Sequence, residues 1–150
     1  MGNARPDGFR HWAAFRVGFV TAYEALVRLG RIRAGGCVVV LGASGTVGLA
    51  AVQLASTLGA RVIASASTEE KRVLAIAHGA DAAVETHDPE WRRRVSDANG
   101  GRPVDIVFDP VGGDATEPAF RNLGWNGRHL MVGFASGALS RTFRFSRVRR

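Results

Sequence analysis

The chain has one cysteine, Cys37, and one lysine, Lys71. A single cysteine excludes an internal disulfide and fits a reducing, cytoplasmic compartment. Cys37 opens an apolar run, where a thiol packs as a small hydrophobe, and is read as packing and not as a nucleophile. Aromatic residues make up only 8%, and Trp12, Trp91 and Trp125 lie far apart. They read as packing and not as a base-stacking platform. No apolar run approaches the roughly 20 residues of a membrane span. No charged segment leads into an apolar one at the start, so no secretory signal is expected. His11, His78, His87 and His129 lack metal-ligand spacing, and no metal site is expected. Ser44 lacks the Gly-x-Ser-x-Gly frame of a hydrolase elbow.

What remains is 150 residues with 46% hydrophobic and 22% charged content, one domain's worth. The net charge is +7, but Arg141, Arg144, Arg147, Arg149 and Arg150 carry five of those charges; subtracting them leaves +2 for residues 1–140. Nineteen of the twenty basic residues are arginine along the whole chain, so the bias reads as background composition, and no nucleic-acid partner is expected.

Strands and helices alternate. Residues 1–16 show no period. Ala22, Ala25, Leu26 and Leu29 mark a helix over Thr21–Leu29, stopped by Gly30. Cys37–Leu41 is a β-branched run of a strand buried on both faces. A glycine turn, 42–48, opens a helix closed by Gly59. Arg61–Ala64 is a second strand. Ser67 with Glu70 reads as a capping box for a helix to His78. Ala82–Val84 is a weak strand, and Asp88-Pro89 starts a short helix through Val95. A strand over 104–108, a helix over 116–123 and a fifth strand over 129–134 complete the body. This order predicts an α/β fold: a Rossmann-like, doubly wound parallel sheet of five or six strands in three layers. The organisation expected is an N-terminal segment (1–16), a dinucleotide-binding domain (17–140) and an Arg-rich tail (141–150). In the tail, Phe143 and Phe145 alternate with polar residues, which suits either an edge strand or a solvated end.

The turn Gly42-Ala43-Ser44-Gly45-Thr46-Val47-Gly48 follows a buried strand and opens a helix, the context in which such glycines carry information. Gly45 lets the backbone approach a pyrophosphate, Gly48 lets helix and strand pack closely, and the helix N-terminus faces the phosphates. Ala43 stands where the first glycine of the pattern usually is.

A site for NADH usually has an acidic residue at the end of the second strand. Here the segment is Ala64-Ser65-Ala66-Ser67, followed by Lys71. These groups favour a 2′-phosphate, so NADPH is expected over NADH. Glu69 and Glu70 are read as helix-start residues. Asp109, at the C-terminal end of a strand, is read as capping the turn before Gly112-Gly113.

Taken in order, Thr21-Ala22-Tyr23-Glu24-Ala25-Leu26, the glycine turn, Val104–Gly113 and Val132–Gly137 resemble the cofactor domain of zeta-crystallin-like quinone oxidoreductases of the medium-chain dehydrogenase/reductase superfamily. The likeness covers about Phe15 to Gly137. It implies a zinc-independent enzyme in which NADPH passes a hydride to a quinone or an α,β-unsaturated carbonyl. It implies a place near the nicotinamide for Thr21 and a pyrophosphate cradle of Gly45, Thr46, Val47 and Gly48, with Ala43 and Ser44 of the same turn as further cofactor-binding candidates. It implies 2′-phosphate contacts from Ser67 and Lys71, and a nicotinamide ledge of Gly133, Phe134 and Ser136. Ser65, Thr86 and Val111, at the ends of the second, third and fourth strands, complete the candidate set; no catalytic residue is assigned.

The chain departs from that family in two ways. Glu85-Thr86 replaces an Asn-Tyr pair, and about 15 residues stand where relatives carry a substrate domain. Two readings stay open: an NADPH-dependent oxidoreductase represented by its cofactor domain, or a non-catalytic NADPH-binding module or truncated remnant. A small quinone or enone is the substrate of the first, and a homodimer is compatible with either.

Overall fold

The computed structural model describes residues 6–137, with side chains for 13–137. The expectations for the Arg-rich tail and its edge strand lie outside the described residues.

Among the described residues, five parallel strands form one sheet in the order β3-β2-β1-β4-β5. They are β1 (Cys37–Leu41), β2 (Arg61–Ala66), β3 (Ala82–Glu85), β4 (Val104–Asp109) and β5 (Leu123–Met131). Helices α2 (Thr46–Thr57), α3 (Glu69–Ala77), α4 (Trp91–Ala98) and α5 (Thr116–Phe120) connect them. Alternation along β1 divides the core. Val38 and Val40 pack with Ala51, Val52 and Ala55 of α2, while Cys37, Val39 and Leu41 pack with Trp91, Val95 and Ala119 of α4 and α5. Both faces of the sheet are covered, which is why its strands read as continuous apolar runs. The result is the three-layer, Rossmann-like fold the sequence predicts. No helix among the described residues is long and apolar enough to cross a membrane.

Three elements differ from the sequence reading. The first helix does not begin at Thr21: α1 spans Pro6–Tyr23, followed by a π-helical segment, Glu24–Leu29. A Cβ on Gly18 would stand 3.0 Å from the carbonyl oxygen of Thr46, so this helix is seated tightly on the start of α2. Second, the side chain that caps α3 is Thr68, not Ser67; its hydroxyl accepts the Lys71 N–H at 3.3 Å. Glu70 is held below the usual carboxylate range by its own backbone N–H and by Thr68. Third, β5 begins at Leu123, and α5 stops at Phe120. An irregularity in the β4–β5 register lies between Val104 and Ile106, and Asn126 takes φ 62°. Positive φ and two glycines hide this half of the strand from a periodicity argument.

Candidate functional site

The loops that follow all five strands meet at the C-terminal edge of the sheet, and the strand order reverses between β1 and β4. Ligands bind at such a point in open α/β sheets. Gly42 leaves β1 with φ 55°, and a Cβ there would stand 2.7 Å from Cγ2 of Val111. Gly42 is therefore the residue that makes the tight turn, one position before Ala43, a role the sequence reading missed. Ala43 is buried and donates its N–H to the Ser65 carbonyl at 3.1 Å. A Cβ on Gly48 would collide with the carbonyl oxygen of Gly42.

Gly45 is different. Its φ of −73° and ψ of 166° suit any residue. A Cβ on it would meet its nearest atom, the Gly42 oxygen, at an ordinary 3.5 Å. Neither packing nor backbone geometry requires glycine there. Gly45 and Thr46 are exposed, and Ser44 and Val47 are half-buried. No side chain caps α2, and the N–H groups of Thr46, Val47 and Gly48 find no acceptor among the described residues. A bare helix start beneath an open glycine is a cradle that fits a pyrophosphate.

At the end of β2, Ser67 and Lys71 are both exposed, with Nζ of Lys71 3.5 Å from Oγ of Ser67. Arg72, not anticipated from sequence, lays its guanidinium on the Ala66 carbonyl at 3.3 Å. Two cations and a hydroxyl thus stand together beyond β2. Ser65 does not join them: it is fully buried, and its hydroxyl bonds the Thr86 hydroxyl and accepts Nε1–H of Trp91, each at 3.0 Å. The structure places Ser65 and Thr86 in a polar knot that fixes the ends of β2 and β3. Thr86, Trp91, Val111, Gly112 and Ser136 border a cleft of about 410 Å³ beside it.

Asp109 closes β4 with no exposed surface. Its carboxylate accepts the N–H groups of Val111 (3.0 Å) and Gly112 (2.8 Å), the Thr116 hydroxyl (2.8 Å) and Nε2–H of His129 (3.0 Å). Burial pushes its pKa up, but His129 and the other three donors outweigh this, and the group stays below the usual carboxylate range. The turn-capping role read from sequence is what the geometry shows. Beyond β5, Val132, Ala135 and Ser136 donate N–H groups to the carbonyls of Asp109, Pro110 and Val111 at 2.9–3.1 Å. This lashes Gly133, Phe134 and Ser136 to the switch point as a ledge on which Phe134 is 49% exposed. Thr21 is half-buried on α1. Among the described residues, no group of three or more His, Cys, Asp or Glu is placed to hold a metal ion.

Comparison with known proteins places this geometry. The family model described as zinc-binding dehydrogenase matches residues 46–149. Quinone oxidoreductase-like protein 2 from Bos taurus is 37% identical over 132 residues, 87% of this chain and 38% of that protein. A mycobacterial quinone oxidoreductase structure superposes with a TM-score of 0.78 at 32% identity, covering 87% of this chain and 40% of that one. A mycobacterial structure complexed with NADPH gives 0.77 at 32% identity, covering 84% and 39%. The chain spans well under half the length of these relatives. It belongs to the zinc-binding dehydrogenase family, within the medium-chain dehydrogenase/reductase superfamily and alongside its quinone oxidoreductases.

Proposed function

We propose that this chain is the NADPH-binding domain of a zinc-independent oxidoreductase of quinone-reductase or enoyl-reductase type, acting on a small quinone or an α,β-unsaturated carbonyl. The observation that carries the reading is Gly45, a glycine that the fold does not need, lying over a helix start with no cap. A ligand that must approach the backbone there accounts for it.

The residues divide the work. The N–H groups of Thr46, Val47 and Gly48 bind the pyrophosphate, helped by the positive end of α2. Ser67 and Lys71 bind the adenosine 2′-phosphate, and the absence of a carboxylate at the end of β2 leaves that charge unopposed. The Ser65–Thr86–Trp91 knot holds the floor beneath the adenosine side. Asp109 fixes the turn through Gly112, so that Val111 stays against Gly42 and the two loops keep their spacing. Gly133, Phe134 and Ser136, with Thr21, form the ledge beside the nicotinamide. When bound, the cofactor supplies the hydride; the protein contributes orientation and exclusion of water.

Titration of the purified chain with NADPH and with NADH tests this. The reading expects saturable binding of NADPH, about tenfold or more tighter than NADH, the effect of one charged contact of roughly 1.5–3 kcal/mol. Equal affinities would remove the 2′-phosphate site, and no binding of either would remove the function.

A further inference from the structure

The fold gathers arginines that look dispersed in the sequence. Arg31, Arg33, Arg61, Arg102, Arg121 and Arg128 lie in or beside the loops at the N-terminal edge of the sheet, opposite the glycine turn. Asp81 and Asp105 on that edge are committed to backbone, Asp81 accepting the Val62 N–H at 2.7 Å and Asp105 the Cys37 N–H at 2.8 Å, while Arg121 is paired with Glu117.

Within this edge is a cleft of about 570 Å³, whose lining includes Arg31, Arg33, Arg128, Trp125, Asn126 and Asp105. Its size is in the range of small-molecule sites, about 300–1,000 Å³. Three observations converge on it. Among the described residues, no carboxylate lies within ion-pair distance of Arg31, Arg33 or Arg128. Trp125 is 90% exposed, a large ring left in water beside three guanidinium groups. The two non-glycine residues with positive φ among the described residues, Arg31 (50°) and Asn126 (62°), both line this cleft. Left-handed backbone is unfavourable for arginine, and such strain concentrates at ligand sites. Arg128 bonds the Gly30 carbonyl at 3.4 Å and so ties β5 to the turn that presents Arg31.

We propose that this cleft is a second ligand site, remote from the cofactor edge, for a phosphomonoester carried on a planar ring, of mononucleotide size. Guanidinium forks match phosphate oxygens in pairs, and an exposed indole offers a face for a ring to stack on. Asn126 adds an amide for the polar edge of that ring.

The test uses uridine monophosphate, which carries no adenine for the cofactor edge. Equilibrium dialysis is run at roughly 50 mM salt, where screening is weak. The expected result is saturable one-to-one binding, weakened about tenfold by Arg128→Gln and by Trp125→Leu, and unchanged in Gly45→Val. Both altered side chains are exposed, so thermal melting of each variant stays near that of the parent; Arg33→Gln, in a loop, provides a third variant with the same expected loss. Absence of saturable binding overturns the proposal. So does binding lost in Gly45→Val while Trp125→Leu retains it, which would put the nucleotide at the cofactor edge. Inorganic phosphate binding as tightly as the nucleotide, with Trp125→Leu neutral, would also overturn it, since no ring would be recognised.

Discussion

The carbonyl oxygen of Gly42 occupies the space that a side chain on Gly48 would need. That contact seats the start of α2 against the end of β1. Gly48→Ala is therefore expected to cost stability, about 1–3 kcal/mol as an overpacked contact, read as a fall in melting temperature. A melting temperature equal to that of the parent would show that the turn relaxes freely.

Among the described residues no carboxylate lies within ion-pair distance of Lys71, and its Nζ lies 3.5 Å from Oγ of Ser67. Lys71→Ala should weaken NADPH by roughly 10- to 100-fold and leave NADH almost unchanged. Equal losses for both cofactors would place Lys71 outside the 2′-phosphate site. Arg72→Gln is expected to have a smaller effect in the same direction, because its guanidinium is partly engaged by the Ala66 carbonyl.

The Asp109 carboxylate predicts a pH dependence. Its folded pKa lies below the ordinary value near 3.8 because four donors outweigh burial. A lowered folded pKa stabilises the fold above the unfolded value, and that stability is lost as pH falls through the folded one. Melting temperature should be insensitive to this group from pH 7 to about 5 and fall below about pH 4. Asp109→Asn should lower stability at neutral pH by about 1.5–3 kcal/mol and flatten the acid limb. An unchanged acid limb in Asp109→Asn would assign that limb to other groups.

Burial, reinforced by the Asp105 carboxylate, pushes the Cys37 thiol up to about 11. The thiolate is the reactive form. Iodoacetamide at pH 8 should leave the native chain unlabelled and label it only after denaturation. Rapid native labelling would contradict the packing role.

Assayed alone, the 150-residue chain is expected to oxidise NADPH slowly, even with excess quinone. The ledge of Gly133, Phe134 and Ser136 is open, with Phe134 and Ser136 exposed. An acceptor meeting an open ledge forfeits most of an orientation term worth up to roughly 7–11 kcal/mol. Saturable turnover well above the spontaneous rate would show that another copy, or the residues before Thr21, closes the site.

Local chemistry made much of this readable from sequence. The β-branched run of β1, the glycine turn and the lack of an acid after β2 each state their structure within a few residues. The capping of the Asp109 turn was equally local. Long-range packing was not readable. Ser65 stands beside the phosphate segment in sequence, but Thr86 and Trp91, 21 and 26 residues on, draw its hydroxyl inward. The length of α1 depends on a seat at Gly18 against α2, and nothing in residues 6–16 advertises that contact. Likewise the arginines read as background composition until the fold brought six of them to one edge.

The most direct test of the central claim is NADPH titration of Gly45→Val beside the parent chain. The backbone at Gly45 accepts valine, and a Cβ there has room within the protein. The variant should fold, with a melting temperature lowered only by the weaker N-cap, about 1 kcal/mol. It should lose NADPH and NADH binding together, because the added side chain fills the space of the pyrophosphate. A folded Gly45→Val that binds NADPH as the parent does would show that the glycine turn holds no dinucleotide.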